Sequence, residues 1–250
     1  MKLARIKTEK GVFYAEVRGE KALLLREAPY EKIEYSGEEL PLAQCTLAVP
    51  SEPGNIVAVG LNYRSHAEEI KMELREEPLI FSKWISSILD PEGTIIKPDV
   101  CKQLDYEAEL AFVVKRKCRK IRRGDAADYI LGYTCLNDVT ARDLQVPGDQ
   151  WARCKGFDTF CPFGPWVETE FDPENAHIRA ILNGKVVQDG NTKDFIFNVY
   201  ELLEYISGFM TLYPGDVVTT GTTGGIGPME PGDEICVAID GIGTLKNRIG

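Results

Sequence analysis

Histidine is scarce in this chain, at two of 250 residues. Zinc sites draw on His and Cys, and the seven cysteines form no C-x-x-C pair. They are odd in number and scattered from Cys45 to Cys236. That pattern fits reduced thiols better than a disulfide framework or a zinc site. Basic residues are also few, 29 Lys and Arg against 39 Asp and Glu, for a net charge of −10. Nucleic acids and anionic membrane surfaces are therefore poor partners. An acidic small molecule would need locally placed cations or a metal. No apolar run approaches the length of a membrane span. Met1–Lys7 lacks the apolar core of a secretory signal, so a soluble, cytoplasmic protein is expected. Neither G-x-G-x-x-G nor Gly-Lys-Ser/Thr occurs, which argues against a nucleotide-dependent enzyme.

What is present is an ordinary globular composition, 44% hydrophobic, enough to build a sizeable core. Pro50-Ser51-Glu52-Pro53-Gly54 is the clearest boundary signal. It divides a small N-terminal β domain, residues 1–50, from a larger domain, residues 51–250. Leu3–Ile6, Val12–Val17 and Ala22–Leu25 read as short strands joined by hairpins. Further strands are expected at Ile56–Val59, Tyr106–Val114, Ile130–Leu136, Ile178–Leu182, Val217–Thr220 and Glu234–Ile239. Asn183-Gly184 marks a hairpin turn. Two helices are expected. One starts at Ser65-His66-Ala67-Glu68, which has capping-box form, and ends at Pro78. The other spans Phe195–Ser207. Many strands and few helices make the chain mainly β with some α, an α+β architecture.

The strongest chemical feature lies in Asp105-Tyr106-Glu107-Ala108-Glu109-Leu110. On a strand Glu107 and Glu109 share a face, roughly 6.5–7 Å apart at the backbone. Their repulsion is about 2.5 kcal/mol at an effective dielectric near 20. The alternate face is apolar, and Ala111 and Val113 continue the carboxylate face, so burial on both sides is expected. A divalent cation is the simplest compensation. Asp138, at the end of the strand Ile130–Leu136, could supply a third hard oxygen. Such a set favours magnesium or manganese.

His66 and Glu69 are three apart on the first helix and so can pair. The helix N-terminus disfavours the imidazolium and the carboxylate favours it, which can leave a base poised near neutrality. His177 begins a strand and reads as structural. Lys155 sits in a run rich in aromatic residues, glycine and proline, so partial burial is expected. Thr219–Gly227 reads as a Gly/Thr-rich loop able to offer N–H groups and hydroxyls to an anion.

In order along the chain, seven pieces resemble the fumarylacetoacetate hydrolase family. They are Gly60–Tyr63 with His66 and Glu69; Pro78–Lys83; Asp105–Ala111; Asn137-Asp138 with Ala141–Gln145; Lys155–Thr159; Gln188–Thr192; and Thr220–Thr222 with Gly225–Gly227. The resemblance covers about residues 55–249. It implies a mixed β-roll or barrel-like catalytic domain, a small N-terminal domain and a homodimer. It implies Mg2+ or Mn2+, with Ca2+ as a crystallisation substitute, held by Glu107, Glu109 and Asp138. It implies a catalytic His66–Glu69 dyad on a helix that closes as a lid, with Lys155 stabilising developing charge and Gln145 and Thr222 contacting substrate. Thr223 departs from the proline many relatives carry there. Pro147-Gly148-Asp149 borders the expected pocket and leaves substrate choice open.

The activity so implied is metal-dependent chemistry on a 2-oxo (β-diketo) acid through a metal-bound enolate, with C–C hydrolysis of an acylpyruvate-like substrate first. The alternatives are isomerisation or tautomerisation of a 2-hydroxy-diene-dioate or oxaloacetate, and oxaloacetate decarboxylation. A non-catalytic binding protein is disfavoured by the presence of both His66 and Glu69.

Overall fold

A computed structural model describes residues 1–65, 75–146 and 148–250. The expected helix after Ser65, and with it His66 and Glu69, lies outside the described residues. The amino-terminal strands are β1 (Lys2–Thr8), β2 (Gly11–Arg18), β3 (Lys21–Leu25), β4 (Tyr35–Pro41) and β5 (Thr46–Ala48). Then come β6 (Ile56–Gly60), β7 (Leu79–Lys83), β8 (Ile88–Leu89), β9 (Thr94–Ile95), β10 (Leu104–Tyr106), β11 (Ala108–Val114), β12 (Ile130–Asn137) and β13 (Thr140–Ala141). The short helix α1 (Ala152–Lys155) precedes β14 (Cys161–Glu168), β15 (His177–Leu182) and β16 (Lys185–Asn191). The longer helix α2 (Val199–Phe209) precedes β17 (Val217–Thr222), β18 (Gly227–Met229), β19 (Glu234–Ile239) and β20 (Gly243–Ile249).

The fold is mainly β. The largest sheet runs β4-β3-β2-β1-β14-β12-β11-β17-β6-β7, with β5 and β8 pairing off this path. A second sheet runs β16-β15-β19-β20-β9, and a small third one β13-β10-β18. The sheets do not close into a barrel; the long order ends at β4 and β7. The N-terminal strands join the rest through β1 and β14, with Lys2 opposite Glu168 and Leu3 opposite Val167. β4 is an exposed edge carrying Glu38 and Glu39, and charge on an edge discourages pairing with another chain. No helix among the described residues is long and apolar enough to cross a membrane.

β11 is central and buried along its whole length. Its alternation sends Ala108, Leu110, Phe112 and Val114 into one core, shared with α2, and Ala111 and Val113 into another, shared with β14. A side chain buried as completely as Phe112 contributes about 1.5–3 kcal/mol. Both faces are thus covered, as the sequence implied. The expected continuous strand Tyr106–Val114 is instead interrupted at Glu107, with β10 and β11 in different sheets. Asn137 causes the break: its Oδ1 accepts the Glu107 N–H at 2.9 Å, a bond that replaces a ladder partner.

α2 begins at Val199 rather than at Phe195. Asn198 caps it, accepting from the N–H groups of Tyr200 and Glu201, while the Glu201 carboxylate accepts the Asn198 N–H. This Asn-x-x-Glu box fixes the start more strongly than apolar periodicity does. Val199, Leu202, Leu203 and Ile206 turn into the main core.

Candidate active site

The site forms where β10, β11 and β12 meet. Glu107 occupies the break between β10 and β11, and its carbonyl accepts the Asp138 N–H at 2.9 Å. That bond sets Asp138, just past the end of β12, beside Glu107. Glu109 lies two residues further along β11, against β17, where the Gly221 N–H donates to its Oε2 at 2.9 Å. Gly221 has φ +84°, and a Cβ there would lie 2.9 Å from the Asn62 Cβ. The donor to Glu109 therefore needs a glycine at this position. Oxygens of Glu107, Glu109 and Asp138 lie within 4.8 Å of one another, and all three side chains are buried.

Among the described residues, three cations form ion pairs with these carboxylates. α1 carries Lys155 beneath them, its Nζ 2.7 Å from both Glu107 Oε2 and Asp138 Oδ2. Lys83, at the end of β7, donates to Asp138 Oδ1 and, at 2.7 Å, to the Lys155 carbonyl. Arg142 donates from Nε to Asp105 at 2.8 Å, from Nη1 to the Gln145 Oε1 at 2.5 Å, and from Nη2 to Glu107. Burial alone would raise the Glu107 pKa, but Lys155 and Arg142 outweigh it and bring the carboxyl down to about 2. Burial opposes the charge on Lys155, yet Asp138 and Glu107 push its pKa above the usual lysine value. Glu109 moves the other way: burial first, then Asp138 and Glu107, raise it well above the carboxylate range. Among the described residues, no Lys or Arg forms an ion pair with Glu109.

That asymmetry tests whether a cation fits. Three hard oxygens converge, no sulfur or imidazole of the described residues belongs to the group, and one carboxylate has no cation of its own. Such a group can hold an oxygen-seeking divalent ion. It does not suit zinc, whose sites draw on His and Cys.

The cluster opens into a cavity of about 660 Å³. Phe81, Trp151, Arg142, Gln145, Lys155 and Thr222 are among its lining residues. Phe81 and Trp151 pack edge to face at 5.1 Å, and the Lys155 ammonium lies 5.4 Å from the Phe81 ring centre. Gly148 and Asp149 also line the cavity, whereas Pro147 lies outside the described residues.

Glu107, Glu109, Asp138, Gln145, Lys155 and Thr222 are thus brought together. The Thr222 hydroxyl is occupied, donating to the Ala108 carbonyl at 2.9 Å and accepting from Gln188 Nε2 at 2.9 Å. The strand expected at Val217–Thr220 runs two residues further: Gly221 and Thr222, expected in the loop, complete β17 and are buried, with Thr222 opposite Glu109 of β11. The group met by its Gly221 N–H is the chain's own Glu109 carboxyl. Sequence reasoning assigned no role to Lys83, Arg142, Asp105 or Gln188. Gln188 is buried and accepts the Ala108 N–H at 2.9 Å, holding the backbone between the two glutamates. A lysine closing the apolar strand Leu79–Lys83 was the one available signal, since charge in a buried strand calls for a partner.

A family model described as "Fumarylacetoacetate (FAA) hydrolase C-terminal" matches residues 55–250, and one described as "Rv2993c-like, N-terminal" matches residues 1–50. A protein of Methanocaldococcus jannaschii is 50% identical over 79% of this chain and 84% of its own length. Human oxaloacetate tautomerase FAHD2A, mitochondrial, is 39% identical over 84% of this chain and 71% of its own. The crystal structure of a 5-carboxymethyl-2-hydroxymuconate delta-isomerase from Mycobacterium smegmatis superposes with a TM-score of 0.94 at 39% identity, covering 100% of this chain and 99% of that one. By its matched domain, its relatives and its fold, the chain belongs to the fumarylacetoacetate hydrolase family.

Proposed function

We propose that the protein enolises a 2-oxo acid and that its net reaction is a proton transfer, the tautomerisation or isomerisation of an oxaloacetate-like or 2-hydroxy-diene-dioate-like diacid. One observation carries this reading. Lys155 donates to Glu107 and Asp138, lines the cavity, and meets no third hydrogen-bond acceptor among the described residues. Glu107, Glu109 and Asp138 would hold Mg2+ or Mn2+, which when bound polarises a 2-oxo carbonyl and lowers the cost of an enolate. The remaining chemistry belongs to the chain. Lys155 stays charged because Asp138 and Glu107 raise its pKa, and its spare N–H donates to the substrate oxygen on which charge develops. Gln145 gives its amide oxygen to Arg142 and so turns its NH2 group outward to orient a carboxylate. His66, three residues before Glu69 in the sequence, would take the proton from the carbon beside the oxo group. It then returns that proton to oxygen in a tautomerase, or to a different carbon in an isomerase.

Charge supports the same substrate class. Asp105, Glu107, Glu109 and Asp138 carry four negative charges if all are ionised, against three positive charges on Lys83, Lys155 and Arg142. A divalent ion would leave the site with one net positive charge, matched to a substrate carboxylate. The acidic exterior hinders little, because surface fields are screened within about 8 Å at physiological salt.

The sequence alone put C–C hydrolysis first. The tautomerase and isomerase relatives, each 39% identical, support putting proton transfer ahead of it. Hydrolysis stands as the second reading on one observation. A cavity of about 660 Å³ is roomy enough for an acylpyruvate together with an attacking water. The test is turnover of oxaloacetate, hydroxy-diene-dioates and acylpyruvates with Mg2+ or Mn2+, with and without chelator. Enol absorbance should change without release of pyruvate. Release of pyruvate together with a carboxylic acid from an acylpyruvate would favour the second reading, release of pyruvate with CO2 from oxaloacetate would mark decarboxylation instead, and no metal-dependent turnover of any of these acids would refute every one of these readings.

A further inference from the structure

Two buried lysines meet at Asp138, and their hydrogen bonds distinguish them. An ammonium has three N–H donors and no acceptor. The Lys83 side chain is fully buried, and its Nζ faces three acceptors: Asp138 Oδ1, the Lys155 carbonyl at 2.7 Å and the Val139 carbonyl at 3.4 Å. It does not line the cavity. Lys155 does line it, and among the described residues its ammonium donates only to Glu107 Oε2 and Asp138 Oδ2. The two lysines and Asp138 form a closed ring. Asp138 takes one ammonium on each carboxylate oxygen, and Lys83 also grips the main chain of Lys155.

We infer that Lys83 is a positioning residue: it has no donor left for substrate, and it fixes both the Asp138 carboxylate and the backbone from which Lys155 reaches the reacting oxygen. This inference rests on the proposed role of Lys155. Lys83 acts through geometry, and displacement of a reacting group by about 1 Å costs on the order of a hundredfold in rate. Its charge works against metal retention, since it competes for a ligand oxygen. Loss of Lys83 therefore lowers kcat while sparing metal binding.

The experiment compares wild type with Lys83→Met, a neutral side chain of similar length, both saturated with Mn2+. The expected result is a kcat about a hundredfold lower, a KM within about threefold, and one Mn2+ per chain by electron paramagnetic resonance. A kcat within about threefold of wild type overturns the inference, as does a loss of Mn2+ that accounts for the whole loss of rate. Should Lys83→Met fail to fold, ammonium NMR of 15N-lysine-labelled wild type decides. Oxalate, a planar dianion shaped like a pyruvate enolate, should move the Lys155 signal and leave a slowly exchanging Lys83 signal in place. The Lys155 signal is assigned by its loss in Lys155→Met. Movement of the Lys83 signal overturns the inference. Absence of turnover in wild type would refute the proposed function separately, and the ammonium spectrum would still report on Lys83.

Discussion

Replacing Lys155 by methionine removes one ammonium from between two buried carboxylates and should show directly in stability. The Lys155 side chain is 2% exposed and lies 2.7 Å from both Glu107 and Asp138. Breaking a buried ion pair from one side costs about 3–5 kcal/mol, because the partner charge is left behind. A second route gives a similar size. Glu107 falls from its ordinary 4.5 to about 2, a shift equivalent to about 3 kcal/mol, shared between Lys155 and Arg142 with Lys155 the stronger. For a chain of this length each kcal/mol moves Tm by about 2–4 °C, so Lys155→Met should melt roughly 6–20 °C lower at pH 7. The sign with pH is fixed. A depressed carboxyl contributes stability that is complete above its unfolded value and is lost as pH falls through about 2. The acid limb of the variant should therefore move to higher pH. Lys155, whose pKa is raised, contributes stability that is complete below the ordinary lysine value and is lost as pH rises through its folded one. Added Mg2+ should restore more stability to the variant than to wild type, because it replaces missing positive charge; saturation at a hundred times Kd contributes about 2.7 kcal/mol. Differential scanning calorimetry from pH 2 to 9, with Mg2+ and with chelator, measures the drop in Tm, the acid limb and the effect of Mg2+. A drop in Tm under about 3 °C with an unchanged acid limb would refute the reasoning.

Glu109→Gln should behave oppositely. Glu109 has no cation partner among the described residues and burial works against its charge. The substitution should thus cost less than about 1 kcal/mol without metal, yet weaken Mn2+ binding severely in isothermal titration. Arg142→Lys keeps the charge but cannot reach Asp105, Glu107 and Gln145 together. Steady-state kinetics should show KM for the oxo acid rising about tenfold or more as Gln145 loses its orientation. Asn198→Ala removes the cap of α2 and should lower stability by about 1 kcal/mol in urea unfolding, with kcat unchanged.

The pattern of the cores was legible wherever alternation decided it. Ala108 to Val114 announced two buried faces, and Asn183-Gly184 announced its hairpin, with both residues in the left-handed region. The two carboxylates of the Glu-x-Glu pair and Asp138 were legible as a group, because buried like charges call for a common partner. What the sequence hid was set by side chains reaching across the fold. Asn137 breaks the strand at Glu107 through a bond to its N–H, and Asn198 sets the start of α2. The compensating cations come from β7, α1 and the turn after β13, more than fifty residues apart in the case of Lys83 and Asp138. Nothing local in Leu79–Lys83 says which acid its lysine will meet. The strand Val217–Thr220 was legible but its extension through Gly221 and Thr222 was not, because small polar residues usually mark loops, whereas here pairing with β11 holds them in the strand.

Crystals of the protein grown with Mn2+ and measured at the manganese absorption edge test the central claim most directly. One anomalous peak per chain, bounded by the side-chain oxygens of Glu107, Glu109 and Asp138 and absent in Glu109→Gln, is the predicted result. A protein that turns over its substrate at full rate in chelator, or a manganese peak elsewhere with none among these three carboxylates, would contradict it.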